Sequence, residues 1–297
     1  MKVMVLGASG MLGHVVVTHL KDCGHEVISI SRRGTFGELP LSIDLENWVH
    51  LQVEIEKHNP DWIVNAAGLL NDEVDRNPSS AILINSFLPR KLAEMGTEMR
   101  FRLITIGSDC VFEGTKGNYS VHDITDAKSA YGRSKQLGEV SNPRDLTIRT
   151  SIIGPEIDPN GRGLLQWFMN QSVDADGWAT AVWTGVTTLE LAKLIEGLVS
   201  GKVKETGLWH CVPSSTITKF DLLQLMNEVF RQSTININKV PGLAHDRSLI
   251  NDRTKAWPVP EYSAMMQELE TWIQEHQYLY QGTVFDLVYK FEDSEKS

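Results

Sequence analysis

A tyrosine and a lysine stand four positions apart in Tyr131-Gly132-Arg133-Ser134-Lys135, and they share one face of a helix if Ser129 to Val140 is helical. A nearby cation lowers a phenol's pKa from about 10, which would let Tyr131 exchange a proton near neutral pH. Ser108 follows the apolar run Phe101 to Ile106. Ligands gather at the carboxyl ends of parallel strands, so a hydroxyl there could polarise a carbonyl. Asp109, Asn85 and the run Asn65-Ala66-Ala67-Gly68 hold positions suited to cofactor and substrate contacts. Ser108 and Asp109 would equally suit the shaping of a turn.

A second constellation lies at the start of the chain. Gly7-Ala8-Ser9-Gly10-Met11-Leu12-Gly13 follows the apolar Val3 to Leu6 and opens into a helical pattern from His14 to Lys21. Glycines let the backbone turn tightly and approach a pyrophosphate, and the helix N-terminus offers free N–H groups and partial positive charge. Gly7, Ser9, Gly10, Met11, Leu12 and Gly13 are therefore expected to bind a dinucleotide. At the end of the second predicted strand, where a site for NAD places a carboxylate, the chain has Ser31-Arg32-Arg33. Two guanidinium groups suit the 2′-phosphate of NADP through charge and fork geometry. Asp44 and Leu45 come next as candidate adenine contacts, with a helix cap as the other reading of Asp44.

The elements that must position these residues alternate. Val3–Leu6, Glu26–Ser31, Trp62–Asn65, Phe101–Ile106 and Leu146–Arg149 read as buried strands between helical patterns. Right-handed βαβ crossovers and a parallel, doubly wound α/β sheet follow. After about residue 150 the punctuation changes, with Gly154, Pro155, Pro159, Gly161 and Gly163 crowded before Leu164 to Met169. The division expected is a dinucleotide-binding domain over 1–150 and a smaller, mainly substrate-binding region over 151–297. Leu208 to Val212 is the candidate for a strand that returns to the main sheet. Leu189 to Val199 reads as an amphipathic helix, and Thr218 with Asp221 as the start of another.

The net charge of −10 carries no sustained basic stripe, which argues against nucleic acid and anionic membranes as partners. No stretch has transmembrane length, and Met1 to Leu6 runs straight into the glycine turn without a signal-peptide core. Cys23, Cys110 and Cys211 are odd in number and widely spaced, as reduced thiols in the cytoplasm would be. The 9 histidines show no metal-ligand spacing, so no metal is expected.

Together these segments resemble the extended short-chain dehydrogenases, and within them the dTDP-4-dehydrorhamnose reductase family of nucleotide-sugar reductases. The resemblance is carried by Gly7 to Gly13, Asn65 to Gly68, Asn85 to Ala93, Ser108 to Gly114, Tyr131 to Glu139 and Arg149-Thr150-Ser151. It implies a Rossmann-type fold and NADPH-dependent reduction of the C4 keto group of a nucleotide-linked 6-deoxy-4-ketohexose. It further implies that Tyr131 is the proton donor, that Lys135 binds nicotinamide ribose and tunes Tyr131, and that Ser108 bonds the carbonyl oxygen. Val74 and Asp75 match a loop lining the sugar pocket, and Arg247 resembles a C-terminal arginine near the substrate, suited to a diphosphate. A homodimer is a candidate assembly.

Two other readings share the fold. A 4,6-dehydratase or epimerase would hold NAD tightly, but dehydratases carry Asp-Glu where this chain has Asp109-Cys110. A non-catalytic subunit, such as the regulatory subunit of methionine adenosyltransferase, resembles the same reductases; Ser108, Tyr131 and Lys135 together argue for chemistry. The chain departs from the rhamnose reductases at Cys110 and Ile152, where those enzymes carry aromatic residues. Both positions are expected to face the sugar, and the lost ring volume would favour a differently substituted hexose, such as a UDP-linked 2-acetamido sugar.

Overall fold

The computed structural model describes residues 1–286 apart from Arg33 and Thr35. Short extended runs, β-branched in all but β3, form the strands β1 (Lys2–Leu6), β2 (Glu26–Ser31), β3 (Leu39–Ser42), β4 (Trp62–Asn65), β5 (Arg102–Ile106) and β6 (Leu146–Arg149). With Gly207–His210 they make one seven-stranded sheet, ordered Gly207–His210, β6, β5, β4, β1, β2, β3. Every pairing within it is parallel. The order reverses at β1, so the loops after β1 and β4 face the crevice where such sheets bind ligands. The strand at Gly207–His210 is the predicted return to the main sheet. The edge strand β3 was not predicted; Pro40 interrupts its four residues.

Helices cover both faces. The larger core includes Val3, Val5, Val15, Val16 and Leu20 on one side, together with the helix Thr188–Val199. A smaller core on the other face includes Met4, Leu6, Ile28, Leu51, Leu88 and Leu92. Alternating strand residues thus feed opposite cores, as a pleated sheet buried on both faces requires. The helix α1 (Gly13–Asp22) begins directly after the glycine turn, and α2 (Trp48–His58) is capped by Asn47, whose side chain accepts from the His50 amide.

The remaining pieces form small sheets beside the carboxyl ends of the main strands. The strand Ala181–Trp183 pairs antiparallel with Ile217–Thr218 and parallel with His245–Asp246. Thr218 caps the helix Lys219–Arg231 by accepting from the Asp221 amide, as its sequence predicts. Through this sheet, Trp183, Lys219 and Arg247, distant along the chain, arrive at one place. Among the described residues, no helix is long and apolar enough to cross a membrane.

Candidate active site

The glycine turn is built by steric necessity. Gly7 has φ +77°, and a Cβ there would lie 2.9 Å from the backbone of Ala67. A Cβ on Gly13 would lie 2.0 Å from the Gly7 carbonyl oxygen, so only glycine lets α1 start this close to β1. The amides of Gly7 and Ala8 both donate to the Ile30 carbonyl, fixing the turn to the end of β2. The N–H groups of Met11, Leu12 and Gly13 donate to no described residue. They lie where an anion would meet the N-terminus of α1, an arrangement that fits a dinucleotide pyrophosphate. Ser9, Gly10 and Met11 reach solvent, whereas Leu12 is buried and could contribute only its backbone.

The catalytic candidates converge from two elements. Ser108 caps the short turn Asp109–Val111 beyond β5: its hydroxyl accepts from the Cys110 amide at 3.1 Å and donates to Asp109 Oδ1 at 3.3 Å. The helix Ala130–Leu137 carries Tyr131 and Lys135, with Ser129 as its N-cap. Close packing seats this helix: a Cβ on Gly132 would lie 2.1 Å from the Cys110 carbonyl, and one on Gly138 would lie 1.9 Å from the Asn85 carbonyl. Lys135 Nζ donates to the Ile106 carbonyl at 2.6 Å, and burial pulls its pKa down to about 8, with Glu139 opposing.

Tyr131 differs from the sequence expectation. Its pKa is raised rather than lowered, first by burial and then by Cys110 and Asp109, while hydrogen bonding by Ser108 opposes. Burial sets the direction, and Lys135 directs its ammonium to the Ile106 carbonyl. A phenol that keeps its proton suits a donor. Asp109 is also pushed up by burial, against the opposing charges of Arg247 and Lys219, and Cys110 is pushed to about 11, chiefly by burial.

The opposite wall comes from the small sheet. Arg247 Nη1 lies 3.5 Å from Cys110 Sγ, and its buried Nε has no partner among the described residues. Lys219 Nζ sits 5.2 Å from the centre of the Trp183 ring, its pKa lowered by burial against the pull of Asp109 and Cys110. Trp183 Nε1 donates to Ser151 Oγ at 2.8 Å. The residue before Ile152 therefore holds an indole from another strand, and Ile152 itself packs against the main core. The ring missing at 152 is thus flanked by a different tryptophan, which weakens the inference that volume is free there.

Other predicted residues take supporting places. Asn85 is buried; its side chain accepts from the Leu69 amide at 2.9 Å and donates to the Leu69 carbonyl and to Ser134 Oγ, both at 3.0 Å. It clamps the loop that follows Ala66-Ala67-Gly68 to the helix Ala130–Leu137, and its amide is spent on protein partners. Val74 is 1% exposed inside the short helix Asn71–Arg76, and Asp75 on the same helix is exposed. Asp44 is exposed and accepts from the Glu46 amide, a local turn, while Leu45 packs against the smaller core. Ser31 accepts from the Gly34 amide, and Arg32 is exposed just after β2. Arg33 lies outside the described residues. Lys219 and Trp183 escaped the sequence reading because no local motif marks them.

The family described as "RmlD substrate binding domain" has a model that matches residues 1–276. A dTDP-4-keto-6-deoxy-D-glucose reductase of Streptomyces niveus is 27% identical over 80% of the chain and 82% of its own length. A probable low-salt glycan biosynthesis reductase of Haloferax volcanii is 30% identical over 77% of the chain and 80% of its own. A dTDP-4-dehydrorhamnose reductase of Bacillus anthracis, solved in complex with NADP, aligns with a TM-score of 0.76 at 18% identity, covering 93% of this chain and 99% of that one. That last likeness speaks to the fold.

Proposed function

Since this chain belongs to the RmlD substrate binding domain family, we propose that it reduces the C4 keto group of a nucleotide-linked 6-deoxy-4-ketohexose with NADPH. The observation that carries this reading is Ser108 set against Tyr131, with Lys135 on the same helix bonded to the Ile106 carbonyl at the end of β5, together with a glycine turn whose free amides suit a pyrophosphate. The name of the Streptomyces niveus relative points to the same sugar-nucleotide chemistry, the Haloferax volcanii relative is named as a glycan biosynthesis reductase, and the Bacillus anthracis protein was solved in complex with NADP. Asp109-Cys110 offers one carboxylate where a dehydratase needs two, which disfavours the same-fold alternative.

When bound, NADPH would supply the hydride that the carbonyl carbon accepts. The protein's part is to hold and move a proton. The Tyr131 phenol, protonated at neutral pH, gives its proton to the oxygen as it becomes an alkoxide. The Lys135 ammonium then steadies the phenolate and would meet the nicotinamide ribose. For the Ser108 hydroxyl to donate to the same oxygen, it turns from Asp109 Oδ1 toward the substrate, stabilising charge where it develops. Arg247 and Lys219 lie close enough to this corner to receive an anionic part of the nucleotide sugar. Arg32 and Arg33 would meet the 2′-phosphate.

The region from about residue 151 would supply most substrate contacts, and the enzyme would work in the cytoplasm on polysaccharide or deoxysugar precursors, alone or as a homodimer. Purified protein mixed with a panel of nucleotide-4-ketosugars should consume NADPH with one of them. Absence of turnover across dTDP-, UDP- and GDP-linked ketosugars, in a protein that binds NADPH, would contradict the reading.

A further inference from the structure

We infer that the C-terminal segment belongs to the cofactor site, with Tyr280 acting through His14 as a positioning pair that sets the glycine turn. The inference rests on the reading that this turn binds NADPH.

His14 is the second residue of α1 and is wholly buried. Its Nδ1 lies 2.8 Å from the Gly10 carbonyl oxygen, and its Nε2 lies 2.9 Å from the Tyr280 hydroxyl. A carbonyl oxygen only accepts, so Nδ1 carries the hydrogen. Burial drives the ring's pKa down to about 4, which keeps it neutral. Nε2 is then a bare acceptor, and the Tyr280 phenol must be the donor. The two partners together select one tautomer.

The consequence for the turn follows from peptide geometry. The Gly10 carbonyl also receives the His14 amide at 3.2 Å, so two donors of one residue hold it toward the interior. In a trans peptide the carbonyl and the next N–H point in opposite directions. Turning the Gly10 oxygen inward therefore turns the Met11 N–H outward, toward the position a phosphate would occupy. Tyr280 closes the short helix Gln277–Tyr280 and is itself buried, 6.4 Å from Trp272 and 5.6 Å from Phe285 between ring centres. Phe36, in the loop between Arg32 and β3, meets the His14 ring edge-on at 6.2 Å. One imidazole thus joins the glycine turn, the loop expected to hold the 2′-phosphate, and residues that lie 266 positions away.

The test is a double-mutant cycle read by NADPH binding. Tyr280→Phe should raise the NADPH Kd roughly two- to tenfold, the scale of one lost hydrogen bond. It should leave kcat at saturating NADPH and the sugar KM within about twofold. His14→Asn keeps a donor toward Gly10 but no acceptor for Tyr280, so adding Tyr280→Phe to it should weaken binding no further. Tyr262→Phe removes another buried hydroxyl, one bonded to the Ser215 carbonyl, and should leave the NADPH Kd unchanged. An unchanged Kd in Tyr280→Phe, additive effects in the cycle, or an equal loss in Tyr262→Phe would each overturn the inference. A wild-type protein that fails to bind NADPH would refute the cofactor reading instead. The pair is then still judged by ¹⁵N shifts of His14, which should show the Nδ1–H tautomer in the wild type with Nε2 shifted as a hydrogen-bonded acceptor, and a changed Nε2 shift in Tyr280→Phe; an Nε2–H tautomer in the wild type, or an Nε2 shift unmoved by the substitution, overturns it.

Discussion

Replacing Tyr131 with phenylalanine deletes one oxygen and leaves the ring in place at the start of the helix Ala130–Leu137. The phenol's raised pKa, caused chiefly by burial, means that the protein presents it protonated across the neutral range. Its loss therefore removes a loaded donor. Cys110, pushed to about 11, lies close by but would have to give its proton from a position packed against Arg247. General acid catalysis by a positioned group is worth roughly 100- to 10,000-fold, which corresponds to about 3 to 5 kcal/mol of barrier. Stability should change by about 1 kcal/mol or less, the scale of a single hydrogen bond, and NADPH binding should persist. Single-turnover mixing of enzyme, NADPH and ketosugar, followed by NADPH absorbance, isolates the chemical step. A rate within about threefold of wild type would refute the assignment of Tyr131 as proton donor.

Three other outcomes follow from the same geometry. Burial brings the folded-state pKa of Lys135 from the usual lysine value down to about 8, so its charge is present below that pH and lost as pH rises through it; kcat/KM should fall above about pH 8, Lys135→Arg should move the fall to higher pH, and a profile flat to about pH 10 would contradict the role. Gly13→Ala forces a Cβ to within 2.0 Å of the Gly7 oxygen; the overpacking should cost about 1 to 3 kcal/mol in thermal unfolding and abolish NADPH binding, and an intact Kd would show that the turn does not hold the pyrophosphate. Alanine at both Arg32 and Arg33 should weaken NADPH by about 1.5 to 3 kcal/mol per arginine and leave NADH nearly unchanged, measured by calorimetry at low salt; equal binding of both dinucleotides to the wild type would dispose of this loop as a 2′-phosphate site.

How far the sequence reaches can be judged from particular residues. Strands of the main sheet were legible because buried parallel strands are continuous apolar runs, and the late strand at Gly207–His210 declared itself the same way. The edge strand Leu39–Ser42 has no such run, since a mostly exposed edge does not demand one. Ser108, Tyr131, Lys135 and the glycines could be picked out because their spacing is local. Lys219 and Trp183 could not, because a small sheet formed by distant segments brings them in. The direction of the Tyr131 shift was invisible for a related reason: spacing reveals the neighbouring cation, whereas burial depends on what the tertiary structure lays over the ring. The burial of Val74 was equally invisible, because an apolar residue looks the same in sequence whether it is exposed in a loop or packed inside a helix.

The central claim concerns where the hydride goes. Turnover of a nucleotide-4-ketosugar with NADPH deuterated at the reactive nicotinamide carbon, followed by NMR of the product, reads this directly. The account predicts deuterium at the sugar C4, with one NADPH consumed per product. Deuterium at another carbon, or product formed without net NADPH consumption, would contradict it.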